Sequence, residues 1–342
     1  MNKNVKKIPV AIIGASGYTG LELLKLLVTH PLFEITYIGN SEGGIRVEEL
    51  HPSLKSVLSQ DVLKSDALEI AKVADLAFLA LPHKTAMGFA SKLLQQGLKI
   101  VDLSADYRLE LDTYEKHYCK HTDKKNLEKS VYGLPEFYRE KIKHASLVAN
   151  PGCYPTAALL SLLPFCDLID ENYPIFIDAK SGVSGAGKKC TGKTHFVSID
   201  ENIFAYNPLA HRHEPEIKEK MKKYSNKEFD INFVPHLLPI IRGEMVDSYM
   251  LLKDVGIEPL EILKDFYKDE QFIRIYDRPV DMKSPSGTNF CDIFAKVVGK
   301  KLYLNSAIDN ILRGSSSQAV ANANIMFGFE ENLGIPTISY VP

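Results

Sequence analysis

The sequence is poor in cysteine, has no C-x-x-C pair, and contains no apolar run near the roughly 18–20 residues of a membrane span. Its five cysteines are Cys119, Cys153, Cys166, Cys190 and Cys291. So few, and odd in number, they argue against a disulfide framework and for a reducing cytoplasm with at least one working thiol. Excess charge is also missing. The formal net charge of −2 gives no field of either sign to attract nucleic acid or an anionic membrane, although a pocket can still be locally basic. Internal repeats and low-complexity linkers are absent too. The opening MNKNVKKIPVAIIGASG faintly imitates a secretory signal. Its short apolar stretch runs straight into Gly14, Ser16 and Gly17 with no cleavage pattern behind it, so it reads as a first β-strand.

What is present is ordinary globular material: 342 residues, 25% charged and 45% hydrophobic, too long for one small core and comfortable for two domains. The first third alternates strands and helices. Lys7–Gly14, Ile35–Gly39, Ala74–Leu81, Ile100–Leu103 and Ala145–Asn150 read as strands, Tyr18–Thr29 and Thr85–Gln96 as helices. The near-continuous apolar run ADLAFLAL suits a strand covered on both faces, and the alternation predicts a parallel, doubly wound sheet. Residues 109–130 are charged and weakly patterned, as expected of surface structure. After Cys153 the character changes. Ile175–Ser181, Ile231–Pro235, Met245–Leu252 and Asp292–Val298 read as strands of a second sheet, Pro215–Tyr224 as a helix with a charged, solvated face, and Ser317–Phe329 as a helix that returns to the first domain. The expected division is 1–152 with 315–342 for the first domain and 153–314 for the second.

Gly14-Ala-Ser16-Gly17-Tyr18-Thr19-Gly20 follows the first strand and opens the first helix. That is the context in which small residues and helix N–H groups cradle a pyrophosphate. A dinucleotide-binding loop is expected here, with a merely structural βα turn as the alternative. The tip of the second strand reads Ile38-Gly39-Asn40-Ser41-Glu42. No carboxylate stands at the tip to hold a ribose hydroxyl, and Asn40 and Ser41 can donate to a 2′-phosphate, so NADP is favoured over NAD, with Glu42 counting against.

Asn150-Pro-Gly-Cys153-Tyr-Pro-Thr156 is the most informative stretch. A strand ends, Pro-Gly turns, and an apolar helix begins, which puts Cys153 at a helix N-terminus where a thiolate is stabilised. Cys166 lies in apolar sequence and reads as a buried hydrophobe. His211-Arg212-His213-Glu214-Pro215-Glu216 can combine acid/base and anion-binding roles. A metal site would need further ligands at suitable spacing, and a surface loop with incidental histidines is the remaining reading. Ser181–Lys188 is glycine-rich after a strand and can cup phosphate, and Arg108 follows a buried strand at its carboxyl end.

Taken together, GASGYTG, LPH, DLSADYRL, YGLPE, NPGCYPTA, SGVSGAGK, HRHEPEI, PHLLPIIRG and GSSSQAVANANIMFG resemble the N-acetyl-gamma-glutamyl-phosphate reductase family. They occur in family order and span nearly the whole chain. The resemblance implies an α/β fold of the aspartate-semialdehyde-dehydrogenase type, a Rossmann-type domain plus a second α+β catalytic domain that assembles into a homodimer or homotetramer. It implies NADPH-dependent reduction of an acyl phosphate in arginine biosynthesis, with Cys153 as nucleophile and His211 as acid/base. Arg108, Ser181 and Glu216 would hold substrate or order the site, and Gly314, Gln318 and Asn322 would lie near the nicotinamide. Three departures stand out: Asn40 where Arg is common, Lys188 where Arg is frequent, and Ser315–Ser317 in place of a more Ala/Gly-rich run. A paralogous reductase of a carrier-linked aminoadipyl phosphate, or of another acylated glutamyl phosphate, is the nearest alternative. A non-catalytic dinucleotide sensor is the alternative from another class.

Overall fold

The structure, a computed structural model, describes residues 6–340. The chain forms two compact units. One runs through Pro151 and takes in Ser315–Ile335, and the other is Gly152–Gly314 with the final segment from Pro336. The final segment was expected with the first unit. It lies with the second because Asn289 N–H donates to the Pro336 carbonyl (3.2 Å) and Ser339 Oγ donates to the Ser286 carbonyl (2.8 Å).

In the first unit, β1 (Ile8–Ile13), β2 (Phe33–Asn40), β3 (Ile45–Arg46), β4 (Asp61–Lys64), β5 (Leu76–Leu79), β6 (Lys99–Asp102), β7 (Val131–Tyr132) and β8 (Leu147–Ala149) form one sheet in the order β3-β4-β2-β1-β5-β6-β8-β7. Every pairing is parallel except the β3/β4 edge. Successive strands run outward in opposite directions from the β1/β5 pair. The crevice at the carboxyl ends of such a pair is where doubly wound sheets bind ligands. β5 is buried at all four positions, as its unbroken apolar run demands. The helix Ser317–Met326 is buried at every residue and packs against the helix Tyr18–Val28 and β6. Its return is tied down by His30, whose Nε2 meets Asn324 Oδ1 at 3.1 Å and the Leu333 carbonyl at 3.0 Å.

Residues 109–130 are mostly exposed or half-buried, as expected of surface structure, but they are not unpatterned. They hold the short helices Leu111–His117 and Lys124–Leu127, with Tyr114 and His121 buried. Tyr107 Oη donates to Asp123 Oδ2 (2.7 Å) and Tyr114 Oη to Asp106 Oδ1 (2.8 Å). The segment is anchored by aromatic rings with hydrogen-bonded tips, a pattern that leaves no apolar periodicity in the sequence.

In the second unit, β9 (Ile175–Gly182), β10 (Phe204–Ala205), β11 (Ile231–Leu238), β12 (Glu244–Leu251), β13 (Ile273–Ile275), β14 (Cys291–Val298) and β15 (Lys301–Ile308) form a mixed sheet in the order β10-β11-β9-β12-β15-β14-β13. β15 was not expected from the sequence. Its Asn305 and Ser306 break the apolar pattern, yet both are buried and hydrogen-bonded, Asn305 to Asp247 and Ser306 to the Ala157 carbonyl. The helix Cys153–Leu162 packs on β12 and β15 and against the helix Glu214–Ser225. That second helix keeps the expected solvated face, with Lys218, Lys222 and Lys223 exposed, and buries Glu216, Ile217, Lys220 and Met221 on the other. No helix among the described residues is long and apolar enough to cross a membrane.

Candidate active site

The nucleotide loop belongs to the first unit. Gly14 has φ +95°, and a Cβ there would sit 2.1 Å from the Ala80 carbonyl oxygen. A Cβ on Gly20 would sit 2.4 Å from the Gly14 carbonyl oxygen. Both glycines are therefore required by the protein's own backbone. Gly17 differs, since its Cβ would meet nothing closer than 3.9 Å. Gly17 is the N-cap of the helix Tyr18–Val28 and offers no side-chain cap, so the first-turn N–H groups of that helix are left for another acceptor. His51, which sequence reasoning missed, braces the loop: its buried Nε2 lies 2.7 Å from the Ala15 carbonyl. Thr19 Oγ1 lies 3.4 Å from Ser315 Oγ, which brings the serine run of the last segment beside the loop.

At the tip of β2, Asn40 is largely spent on structure. Its Nδ2 donates to Ser16 Oγ (3.1 Å), and its Oδ1 accepts from Glu42 N (2.9 Å) and Gly43 N (2.6 Å). Ser41 and Glu42 are exposed beyond it. Asn322 is also committed, donating to the Gly133 carbonyl (2.9 Å) and to Asn150 Oδ1 (3.0 Å), and Gln318 is wholly buried beside it in the same helix. Arg108 is buried and holds two carbonyls, Nε to Asn150 (2.7 Å) and Nη2 to Leu103 (2.8 Å). It thereby fixes the end of β8, immediately before the Pro-Gly turn.

The nucleophile region belongs to the second unit. Cys153 is the first residue of its helix, with Gly152 as the N-cap and no side-chain cap. Glu216, buried in the neighbouring helix, accepts from Gly152 N–H at 3.0 Å, so a carboxylate 64 positions away in sequence sets the helix start. Gly314 lets Cys153 sit tightly, since a Cβ on Gly314 would come within 2.6 Å of Cys153 Cβ. No cysteine is in a disulfide. Burial pushes the Cys166 thiol up to about 12, which leaves it inert as a nucleophile, as its apolar surroundings suggested.

His211 sits in an aromatic cage. Its ring lies 5.9 Å from Tyr154, 5.4 Å from Tyr206 and 5.5 Å from Phe233, centroid to centroid. Burial, and then the Arg212 charge, lower its pKa to about 4, so the ring is neutral at pH 7. His211 Nδ1 accepts from His213 N–H at 3.2 Å. In the neutral ring the hydrogen therefore sits on Nε2, which becomes the donor. Ser181 is buried at the end of β9, while Gly185–Lys188 and Arg212 are exposed. One further group went unnoticed in the sequence. Glu244, the first residue of β12, is wholly buried, neither of its carboxyl oxygens has a hydrogen-bond partner, and burial pushes its pKa up to about 8. Among the described residues, no group of three His, Cys, Asp or Glu side chains is placed to hold a metal.

Two family models cover most of the chain: the semialdehyde dehydrogenase NAD binding domain over residues 9–145 and the semialdehyde dehydrogenase dimerisation domain over residues 153–310. An N-acetyl-gamma-glutamyl-phosphate reductase of Sulfurovum sp. is 57% identical over 98% of this chain and 100% of its own length. The chain belongs to the N-acetyl-gamma-glutamyl-phosphate reductase family. A reductase of the same name from Methanococcus maripaludis is 42% identical over 95% of this chain and 97% of its own. The fold is that of aspartate semialdehyde dehydrogenases. The Vibrio cholerae enzyme complexed with ASA matches with a TM-score of 0.71 at 17% identity, over 95% of this chain and 99% of its own. The Candida albicans enzyme with NADP matches at 0.71 and 15% identity, over 96% and 100%. Family and fold make this chain an oxidoreductase of the semialdehyde dehydrogenase type, with a Rossmann-type dinucleotide-binding domain.

Proposed function

We propose that this chain reduces N-acetyl-L-glutamyl 5-phosphate to N-acetyl-L-glutamate 5-semialdehyde and phosphate, with NADPH and through a thioester on Cys153, as a step of arginine biosynthesis. The observation that carries the reading is Cys153 at the first position of a buried helix, beside a glycine that keeps its Cβ side clear, in a chain more than half identical to reductases of that name. The thiolate attacks the acyl carbonyl. A C–S bond forms, the C–O bond to phosphate breaks, and phosphate leaves. Bound NADPH supplies hydride to the thioester carbonyl. His211 Nε2–H hydrogen-bonds to the carbonyl oxygen as it turns into an oxyanion, a role that a neutral, caged imidazole performs without a charge change. Collapse of that oxyanion expels the thiolate and frees the aldehyde. Glu216 and Arg108 hold the backbone on either side of the Pro-Gly turn, and the substrate's anionic groups go to Ser181, the N–H groups of Gly182–Gly187, Lys188 and Arg212.

The glycine loop fits a dinucleotide, because only Gly17 is small without a demand from the protein itself. With Asn40 engaged by Ser16, the donor left at the β2 tip for a 2′-phosphate is Ser41, and Glu42 stands beside it. The NADPH preference is therefore expected to be modest. The substrate's acylated amine carries no charge. The two buried carboxyls near Cys153 are in no position to receive an ammonium, because Glu216 is bound to Gly152 and burial favours the neutral form of Glu244. An unpaired buried ammonium costs more than the roughly 1–3 kcal/mol that an extra methylene discriminates. In the oxidative direction, with phosphate and NADP, N-acetyl-glutamate semialdehyde is expected to be used far better than aspartate semialdehyde, and NADP somewhat better than NAD. Comparable kcat/KM values for the two semialdehydes would overturn the substrate assignment.

The working unit is a homodimer, or a tetramer built from it. The second sheet's face opposite the Cys153 helix carries exposed Tyr173, Phe176, Tyr249 and Val298 around a groove of about 640 Å³. Exposed apolar area of this kind, in a segment matching a dimerisation domain, favours a second copy as its cover. Tyr249→Lys is expected to shift the sedimentation coefficient toward the monomer, and an unchanged value would place the interface elsewhere. Five cysteines with no disulfide among them suit a cytoplasmic setting.

A further inference from the structure

β4 lies beside β2 in parallel, with Gly39 paired to Leu63 and Asn40 to Lys64, so Lys64 ends its strand next to the β2 tip. The glycine loop is tied to the same tip: Gly14 N and Ala15 N donate to the Gly39 carbonyl at 2.9 and 3.0 Å. Side chains alternate along a strand, so residues paired across two strands project to one face. Asn40 uses its face to reach the loop, donating from Nδ2 to Ser16 Oγ at 3.1 Å. Lys64 therefore stands on the glycine-loop side of the sheet, one strand spacing of about 4.8 Å outward from Asn40.

The backbone around Lys64 is held from several directions. Its carbonyl accepts from Tyr37 Oη at 2.8 Å. Ser65 donates from N (2.9 Å) and Oγ (3.0 Å) to the Asn40 carbonyl. The turn after β2 folds back on the same point: Gly43 has φ +71°, and a Cβ there would sit 2.4 Å from Lys64 N. The Lys64 side chain, by contrast, is exposed and has no ion pair or hydrogen bond among the described residues. Arg46, the other cation of β3 and β4, is taken up by Glu48 and Asp61. Asp66 is turned to its own helix, accepting from Leu68 N (2.8 Å) and Glu69 N (3.1 Å).

We propose that Lys64 is the cofactor-selecting cation of this chain, its ammonium binding the 2′-phosphate of NADP from the end of β4. The proposal rests on the reading that the glycine loop holds a dinucleotide. With the pyrophosphate at the first-turn N–H groups of the helix Tyr18–Val28, the adenosine ribose comes to the tip of the second strand. A 2′-phosphate there brings negative charge that the tip itself does not balance. Asn40 is engaged, Ser41 offers an uncharged hydroxyl, and Glu42 has the wrong sign. Lys64 is the positive charge that the adjoining strand end supplies. A lysine is a mobile point charge rather than a bidentate fork, and an exposed one is screened by salt. Selection through it is real but modest, as the NADPH preference of this chain is expected to be.

The test is calorimetric titration of the full chain with adenosine 2′,5′-bisphosphate and with AMP, two probes that differ only in the 2′-phosphate. At low salt the wild type is expected to bind the bisphosphate about tenfold tighter, the scale of one charge-assisted contact. Lys64→Gln, which keeps most of the stem, should bring the two probes within about twofold of each other and leave AMP affinity unchanged. Lys64→Arg should keep the wild-type ratio, and Lys64→Glu should invert it. Added salt should erode the ratio in the wild type but not in Lys64→Gln. A Lys64→Gln ratio within twofold of the wild-type value would overturn the role of Lys64 and leave the NADP reading standing. A fall in AMP affinity as large as the fall for the bisphosphate would also overturn it, since the change would then act on the fold and not on the phosphate. A wild-type ratio near one would remove the NADP preference itself, and the role of Lys64 with it.

Discussion

Cys153→Ser is expected to abolish turnover and leave folding and NADP binding nearly intact. Serine keeps the Cβ that packs within reach of Gly314, so the helix start loses nothing it needs. The backbone bond from Gly152 N–H to Glu216 is untouched by the change. What disappears is the ionisable atom. A hydroxyl at this helix N-terminus stays protonated near neutral pH, and neutral His211 is not basic enough to ionise it. No other thiol can stand in. Cys166 and Cys291 are buried, the former with its thiol pushed up to about 12, Cys190 lies on an exposed loop, and Cys119 belongs to the other compact unit. The nucleotide loop belongs to the other compact unit, so cofactor affinity measured by fluorescence titration should barely move. Residual activity within about tenfold of the parent would sink the thioester mechanism, because a covalent nucleophile contributes far more than that.

Much of this site was legible in the sequence because its chemistry is local. The glycine loop, the Pro-Gly turn before Cys153, and the HRH run each place their functional atoms within a few residues of a recognisable strand end or helix start. The doubly wound sheet was legible for the same reason, since a strand such as β5, covered on both faces, shows as an apolar run. Pairings across long sequence distances were not legible. Glu216 was named as ordering the site, but that it would do so through the Gly152 amide could not be read, because that bond joins residues 64 positions apart. Glu244 was invisible for a stronger reason. In sequence it follows Arg242-Gly243 at the head of a strand and looks like one more exposed charge at a turn. Only the strand pairing with β9 and β15 buries it under the Cys153 helix. β15 was missed because Asn305 and Ser306 read as loop residues until their partners are seen. Arg108 shows the converse. As a lone arginine after a buried strand it suggested an anion grip, whereas two of its nitrogens bind the backbone carbonyls of Leu103 and Asn150.

His211→Asn is expected to lower kcat by roughly 10²-fold or more, the usual range for a lost hydrogen-bond donor to a developing oxyanion. His213→Asn should cost less. The His213 contribution to the His211 ring is its backbone N–H, which donates to Nδ1 at 3.2 Å and survives any side-chain change. The Tyr154, Tyr206 and Phe233 cage that desolvates His211 also survives. The pH dependence separates this role from simple packing. Burial and then Arg212 lower the pKa of His211 from 6.5 to about 4. Between those values the unfolded chain binds a proton that the folded chain does not. The contribution of this ring to stability is therefore complete above about pH 6.5 and is lost as pH falls through about 4. In the same fall, protonation places a hydrogen on Nδ1 against the His213 N–H. An acid limb in kcat/KM that belongs to His211 should thus appear well below pH 6, and be missing from His211→Asn. A limb centred near 6.5 in the wild type would mean that His211 is solvated and charged where the cage requires it neutral. If His213→Asn proves the more damaging change, the donor within the HRH run has been assigned to the wrong ring.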